Sequence, residues 1–183
     1  MDFIVIDTEG RRELKEIAII DRHGRLIYEA FNQAHNEHFR KSAAHKPLKT
    51  ILMDFRAIAI GKLLVFHNAE HDLAVLAKSF ERVNLPVPNY PKTYCTYREA
   101  KQQIVSSRYS LEYLAKKLNL KVDGRYFNCE QAHIARYDAL FTHKLYLALQ
   151  HMNLASTTVN PFGSSRVDNP FQTHPDNTNV YQA

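Results

Sequence analysis

Residues 3–10 read FIVIDTEG, an apolar run that closes on two acids, Asp7 and Glu9. Side chains of a β-strand alternate between its two faces, so residues two apart point the same way. A buried strand over residues 3–7 therefore has to deliver Asp7 and Glu9 together at its end. Two carboxylates held side by side there lose hydration and repel each other, a cost that a bound cation offsets. Taken alone, a D-x-E pair also fits a surface turn. The rest of the chain decides between the two readings.

The 183 residues fit one domain with an ordinary core, and 45% of them are hydrophobic, as in globular proteins. No apolar run approaches the length of a membrane span. The N-terminal residues lack a charged segment, an apolar core and a cleavage site in series, so they do not read as a signal peptide. Cys95 and Cys129 have neither CxxC spacing nor the density of a disulfide scaffold. Together these features suggest a cytoplasmic protein with no membrane partner. Lys and Arg number 24 against 19 Asp and Glu, a net charge of +5. That balance becomes informative if the acids gather at one point and the bases surround it, as a polyanionic substrate on bound cations requires.

The local pattern predicts strands over 3–7, 14–21 and 25–31, joined by short turns into an antiparallel meander. Residues 32–46 are polar and His-rich and read as a loop. Pro47 opens a helix to about Ile60, with Leu48, Ile51, Leu52 and Phe55 on one face. LLVFHN at 63–68 reads as a fourth strand, and residues 69–83 as a helix striped by Leu73, Leu76, Ala77 and Phe80. A proline-rich loop at 84–91 precedes a fifth strand at 92–97. Ser110 caps a small helix, and a nearly all-apolar helix follows at about 132–151. This order predicts an α/β domain over residues 1–152, a mixed sheet with helices on its faces. Residues 153–183, rich in Asn, Thr, Ser and Pro, read as a flexible tail.

Three more residues join the opening pair. Asp72 lies in FHNAEHDLAVL at 66–76, just inside the helix after the fourth strand, and His133 and Asp138 lie in AHIARYDALF at 132–141. Asp138 sits among Ile134, Ala135, Ala139, Leu140 and Phe141, where a lone carboxylate is expensive. It either holds a cation, caps a turn, or pairs with Arg136 or Lys144. Hard Mg²⁺ or Mn²⁺ prefers oxygen donors, so four carboxylates with few other ligands suit it better than zinc.

D-x-E, then HNxxxD across a strand–helix junction, then H-x4-D, in that order, resemble the DnaQ-like exonucleases of the DEDDh type. The resemblance covers about residues 1–150 and includes the element order. It implies an RNase H-like fold and removal of nucleotides from 3′ ends with two divalent ions. Carried over by residue, Asp7 bridges both ions, Glu9 and Asp138 complete the surroundings of one, and Asp72 serves the other. His133 becomes the general base, and an imidazole, with an ordinary pKa of about 6.5, can accept a proton at neutral pH.

Two departures touch the substrate side. Many members follow D-x-E with Thr-Thr-Gly, where this chain has Gly10, Arg11 and Arg12, and many place an aromatic residue where His71 stands. Arg11 and Arg12 either hold a phosphate or form a solvated turn. Gly10, His67 and Asn68 are further candidate substrate contacts.

The implied substrates are single-stranded or frayed 3′ ends of DNA or RNA, released as 5′-mononucleotides. An alternative is an accessory subunit that binds nucleic acid within a polymerase or processing complex, reached through the C-terminal tail. A zinc site on His67 and His71, four residues apart, is a third reading. Tyr109, Tyr113, Tyr126 and Tyr137 either stack on unpaired bases or edge the core.

Overall fold

The computed structural model describes residues 2–35, 44–90 and 92–158. The sheet contains strands β1 (Phe3–Gly10), β2 (Leu14–Asp21), β3 (Leu26–Asn32), β4 (Ala44–Lys46), β5 (Leu63–Phe66) and β6 (Thr93–Cys95). The helices are α1 (Leu48–Ala59), α2 (Ala69–Arg82), α3 (Thr96–Gln103), α4 (Leu111–Lys117) and α5 (Ala135–Thr158), with a 3₁₀ turn at Cys129–Gln131. The strand order is β4-β3-β2-β1-β5-β6. The meander β1-β2-β3 is antiparallel, and β5 joins β1 in parallel, so the sheet is mixed, as the sequence predicts.

β1 lies inside the sheet, which explains its unbroken apolar run: a strand covered on both faces has no solvent side to keep polar. Ile4 and Ile6 face α1 and α2, packing with Ile51, Leu52, Phe55 and Phe80. Val5 faces the other way, against Ala135, Ala139 and Tyr146 of α5. α5 is sandwiched, because α3 and α4 cover its outer side through Ala100, Leu114, Phe141 and Leu145. This explains its apolar residues on nearly every face.

Three elements differ from the sequence reading. β4 lies within the segment read as a loop, pairing in parallel with the end of β3. Its three residues, Ala-His-Lys, carry no alternation, and the strand exists because an edge is available to it. The predicted strand at 92–97 ends at Cys95, and α3 begins at Thr96. The β-favouring TYCTY run masks that helix, whose buried residues are Thr96 and Ala100 alone. α5 starts three residues later than predicted and runs to Thr158. The Met152 boundary therefore falls inside a helix, and Asn153 Nδ2 donates to Glu99 Oε1 of α3 at 3.2 Å. Residues 159–183 of the predicted tail and 36–43 of the predicted loop lie outside the described residues. Among the described residues, no helix is long and apolar enough to cross a membrane.

Candidate active site

The alternation of β1 sorts the acids. Asp7 and Glu9 share the parity of Val5 and so lie on the α5 side, whereas Thr8 points to the α2 side. Thr8 is buried and donates to Asp72 Oδ1 twice, from its backbone N–H at 3.1 Å and its hydroxyl at 2.8 Å. Asp72, itself buried, stands in the first turns of α2, where the helix dipole favours a negative charge. Oδ1 is thus taken up by Thr8, and Oδ2 is the oxygen that could serve a cation.

Asp138 comes from the first turn of α5, across the sheet face from Asp7. Its Oδ2 accepts the backbone N–H of His133 at 2.9 Å. Its Oδ1 is buried and has no hydrogen-bond partner among the described residues. His133 precedes α5 in a left-handed conformation, φ 64°, and its side chain is 88% exposed. The helix thus begins after His133, and the residue reaches the site from the connecting segment. Its Nδ1 lies 4.0 Å from Glu9 Oε1. Glu9, His133 and Asp138 each offer one atom within 4.8 Å of the others.

The electrostatics report how closely the acids converge. Loss of hydration raises the Asp7 carboxyl well above its ordinary range, and the charges of Asp72, Asp138, Glu9 and Glu16 add to it. Burial pushes Asp72 up to about 7, against the opposing hydrogen bonds from Thr8. Burial also raises Asp138, opposed by the His133 N–H. Buried carboxylates that repel one another and keep an oxygen without a donor fit a hard divalent cation with oxygen preference. Asp7, Glu9, Asp72 and Asp138 are the carboxylates that could hold such an ion.

Glu16 was not singled out from the sequence. It is 3% exposed and sits directly across from Glu9 in the β1–β2 ladder, on the same sheet face. The available signal was an acid inside LKEIAIID, where an otherwise apolar strand has no reason to bury one.

A cavity of about 790 Å³ opens beside these acids, lined in part by Glu9, Gly10, Arg11, Arg12, His71 and His133. The turn carrying Arg11 and Arg12 is fixed by Glu13, whose carboxylate meets His35 Nε2 at 2.9 Å and Arg82 Nε at 2.6 Å. Gly10 has φ 146°, and a Cβ there would collide with the Glu13 carbonyl. His67 lies elsewhere, its Nδ1 2.9 Å from Thr96 Oγ1 and its ring edge-on to Tyr97. Burial pushes its pKa down to about 4, so the ring is neutral. Asn68 is the left-handed residue that starts α2, φ 72°. Among the described residues, His67 and His71 do not join a group placed to share an ion. Of the four tyrosines, Tyr137 accepts the Asn128 N–H at 2.5 Å and packs on Phe127 and Phe141, while Tyr109 donates to Ile104 O at 2.9 Å. Tyr126 is 55% exposed, with Lys121 Nζ 4.5 Å from its ring centre.

Several solved structures share this fold. Exonuclease X, in complex with 5′-overhanging duplex DNA, is 22% identical with a TM-score of 0.56, over 84% of this chain and 93% of that one. The nuclease domain of 3′hExo, a DEDDh family member bound to rAMP, is 15% identical with a TM-score of 0.56, over 82% and 92%. The zinc-bound E. coli ExoI–ssDNA complex is 13% identical with a TM-score of 0.58, over 86% and 43%. They agree with the RNase H-like architecture expected from the motifs. No curated protein sequence matches the chain. The RNase T exonuclease family model matches residues 3–146, a span that contains every acid of the site and His133. The chain belongs to this exonuclease family, and its motif order is that of the DnaQ-like DEDDh members.

Proposed function

We propose that this exonuclease removes nucleotides from single-stranded or frayed 3′ ends of DNA or RNA and releases 5′-mononucleotides. The observation that carries the reading is the grouping of Glu9, His133 and Asp138 within 4.8 Å at the end of the strand that carries Asp7, with one oxygen of Asp138 buried and undonated. Carboxylates gathered and buried in this way are costly as anions, and bound cations offset that cost.

Divalent-ion dependence goes with the family, and Mg²⁺ or Mn²⁺ suits this donor set. Asp7 would be shared between two ions, with Glu9 and Asp138 on one and Asp72 on the other. When bound, such a pair stabilises the charge that develops on the attacking and leaving oxygens of a phosphoryl displacement. The chain's own residues do the rest. Thr8 fixes the carboxylate plane of Asp72, and the His133 N–H fixes that of Asp138. His133, exposed on the cavity wall beside Glu9, accepts the proton of the attacking water. Arg11 and Arg12, at the cavity mouth, hold the phosphates of the terminal nucleotides.

The test is digestion of 5′-labelled single-stranded DNA and RNA in Mg²⁺, Mn²⁺ or chelator. The expected result is a ladder that shortens from the 3′ end and vanishes in chelator. Immediate release of the 5′ label as a mononucleotide would overturn the polarity, and undiminished hydrolysis in chelator would overturn the metal assignment.

A further inference from the structure

A second cavity, of about 470 Å³, opens at the opposite end of the sheet, within the size range of small-molecule sites. Leu64, near the start of β5, lines it and pairs with Ile4 at the start of β1, whereas the catalytic acids lie at the far end of β1. The last turn of α1 supplies Arg56, its C-cap supplies Ile60, the turn into β5 supplies Lys62, and the loop before β6 supplies Pro88, Tyr90 and Lys92.

Two observations point to a ligand. Arg56, Lys62 and Lys92 line this one cavity, and none forms an ion pair among the described residues. Like charges gathered without counter-charges favour an anion. The remaining wall is apolar: Ile60 is 71% exposed, and the Tyr90 ring, backed by Phe55 at 5.8 Å between centroids, is held in place. A cationic rim over an aromatic and aliphatic floor matches a flat apolar group that carries phosphate.

We propose that this cavity binds a nucleoside phosphate at a site separate from the catalytic carboxylates. Arg56, Lys62 and Lys92 take the phosphate, and the apolar wall of Ile60 and Tyr90 takes the base. The choice of a nucleotide among aromatic anions rests on the exonuclease reading. A free mononucleotide and a nucleotide within a strand present the same chemistry.

The experiment is equilibrium dialysis of labelled adenosine 5′-monophosphate against the full chain in EDTA, where the uncompensated catalytic carboxylates repel phosphate. Wild type should bind one nucleotide per chain. The Lys62→Ser/Lys92→Ser variant should bind about tenfold or more weakly, with an unchanged thermal midpoint and unchanged metal-dependent hydrolysis of a short oligonucleotide. Asp7→Asn should leave the binding intact. Competition by a short oligonucleotide supports a strand as the source, and its failure supports the free nucleotide. The proposal is overturned by no binding to wild type, by equal binding to the lysine variant, or by binding that responds to Asp7→Asn instead. Displacement by inorganic phosphate at the same concentration as the nucleotide would also overturn it. Because hydrolysis is measured separately, an inactive wild type would count against the exonuclease reading and leave this binding result standing.

Discussion

Asp7 stands where four other carboxylates raise the cost of its charge, and its immediate neighbours set how that cost is met. Thr8 occupies the opposite strand face and still serves the site, because its two donors hold Asp72, the acid that α2 contributes to the site. Asp72 gives a prediction with a definite sign. Its unfolded carboxyl titrates near about 3.9, and in the folded metal-free protein it is pushed up to about 7. Between those values the folded state keeps a proton that the unfolded chain has lost. The associated stability is complete below the lower value and disappears as pH rises through the upper one. The thermal midpoint of chelated protein should therefore fall from pH 5 to pH 8, and Asp72→Asn, which keeps an acceptor for Thr8, should flatten the fall. A midpoint that rises over that interval would contradict the buried-acid account. For His133, replacement by alanine should slow turnover by about 10²–10⁴-fold while metal and nucleic acid still bind. The variant should also lose the part of the acid limb that an imidazole base imposes. Unchanged rate and pH profile would remove His133 from the mechanism.

The elements that bring these residues together were legible to different degrees. β1, the meander, α1 and α2 announce themselves because each has a long apolar pattern of one period and each buries it. The acids at their ends were legible for the same reason, since a charge closing an apolar run is conspicuous. α3 and β4 were not, because their sequences carry no strong pattern and tertiary packing creates them: Thr96 holds His67, and the edge of β3 recruits Ala44–Lys46. Glu16 was hidden because its importance depends on register, and only the pairing with Glu9 reveals it. The β1–β2 junction makes its own prediction. The ladder shifts between Glu9 and Gly10, and the backbone N–H of Leu14 is taken up by Ser79 Oγ at 2.8 Å. Gly10→Ala would meet the Glu13 carbonyl at a positive φ, so it should cost more than about 1 kcal/mol and displace Glu9. Denaturant unfolding and turnover should both register it; a variant as stable and active as wild type would show that the bulge does not position Glu9.

At the level of the molecule, α5 links the site to the chain's outer layer, carrying Asp138 at its start and meeting α3 through Asn153 near its end. A chain ending at Thr158 should keep both the wild-type thermal midpoint and activity on short oligonucleotides. One ending at Met152 should stay active but lose about 1 kcal/mol with the Asn153 hydrogen bond. Inactivity of the Thr158 form would place part of the machinery beyond the helix. The change of composition near residue 153 was a sound signal for where the apolar pattern stops, but a helix continues past that point on polar residues when a neighbour receives them. The central claim is that charge on Asp7, shared between cations, drives hydrolysis. It is tested most directly by comparing Asp7→Asn with wild type on a 5′-labelled single strand in Mg²⁺. Asparagine keeps the shape, removes the charge and relieves the repulsion from its neighbours, so the variant should fold with an equal or higher thermal midpoint and show almost no shortening of the strand. Wild-type turnover by Asp7→Asn would contradict the account.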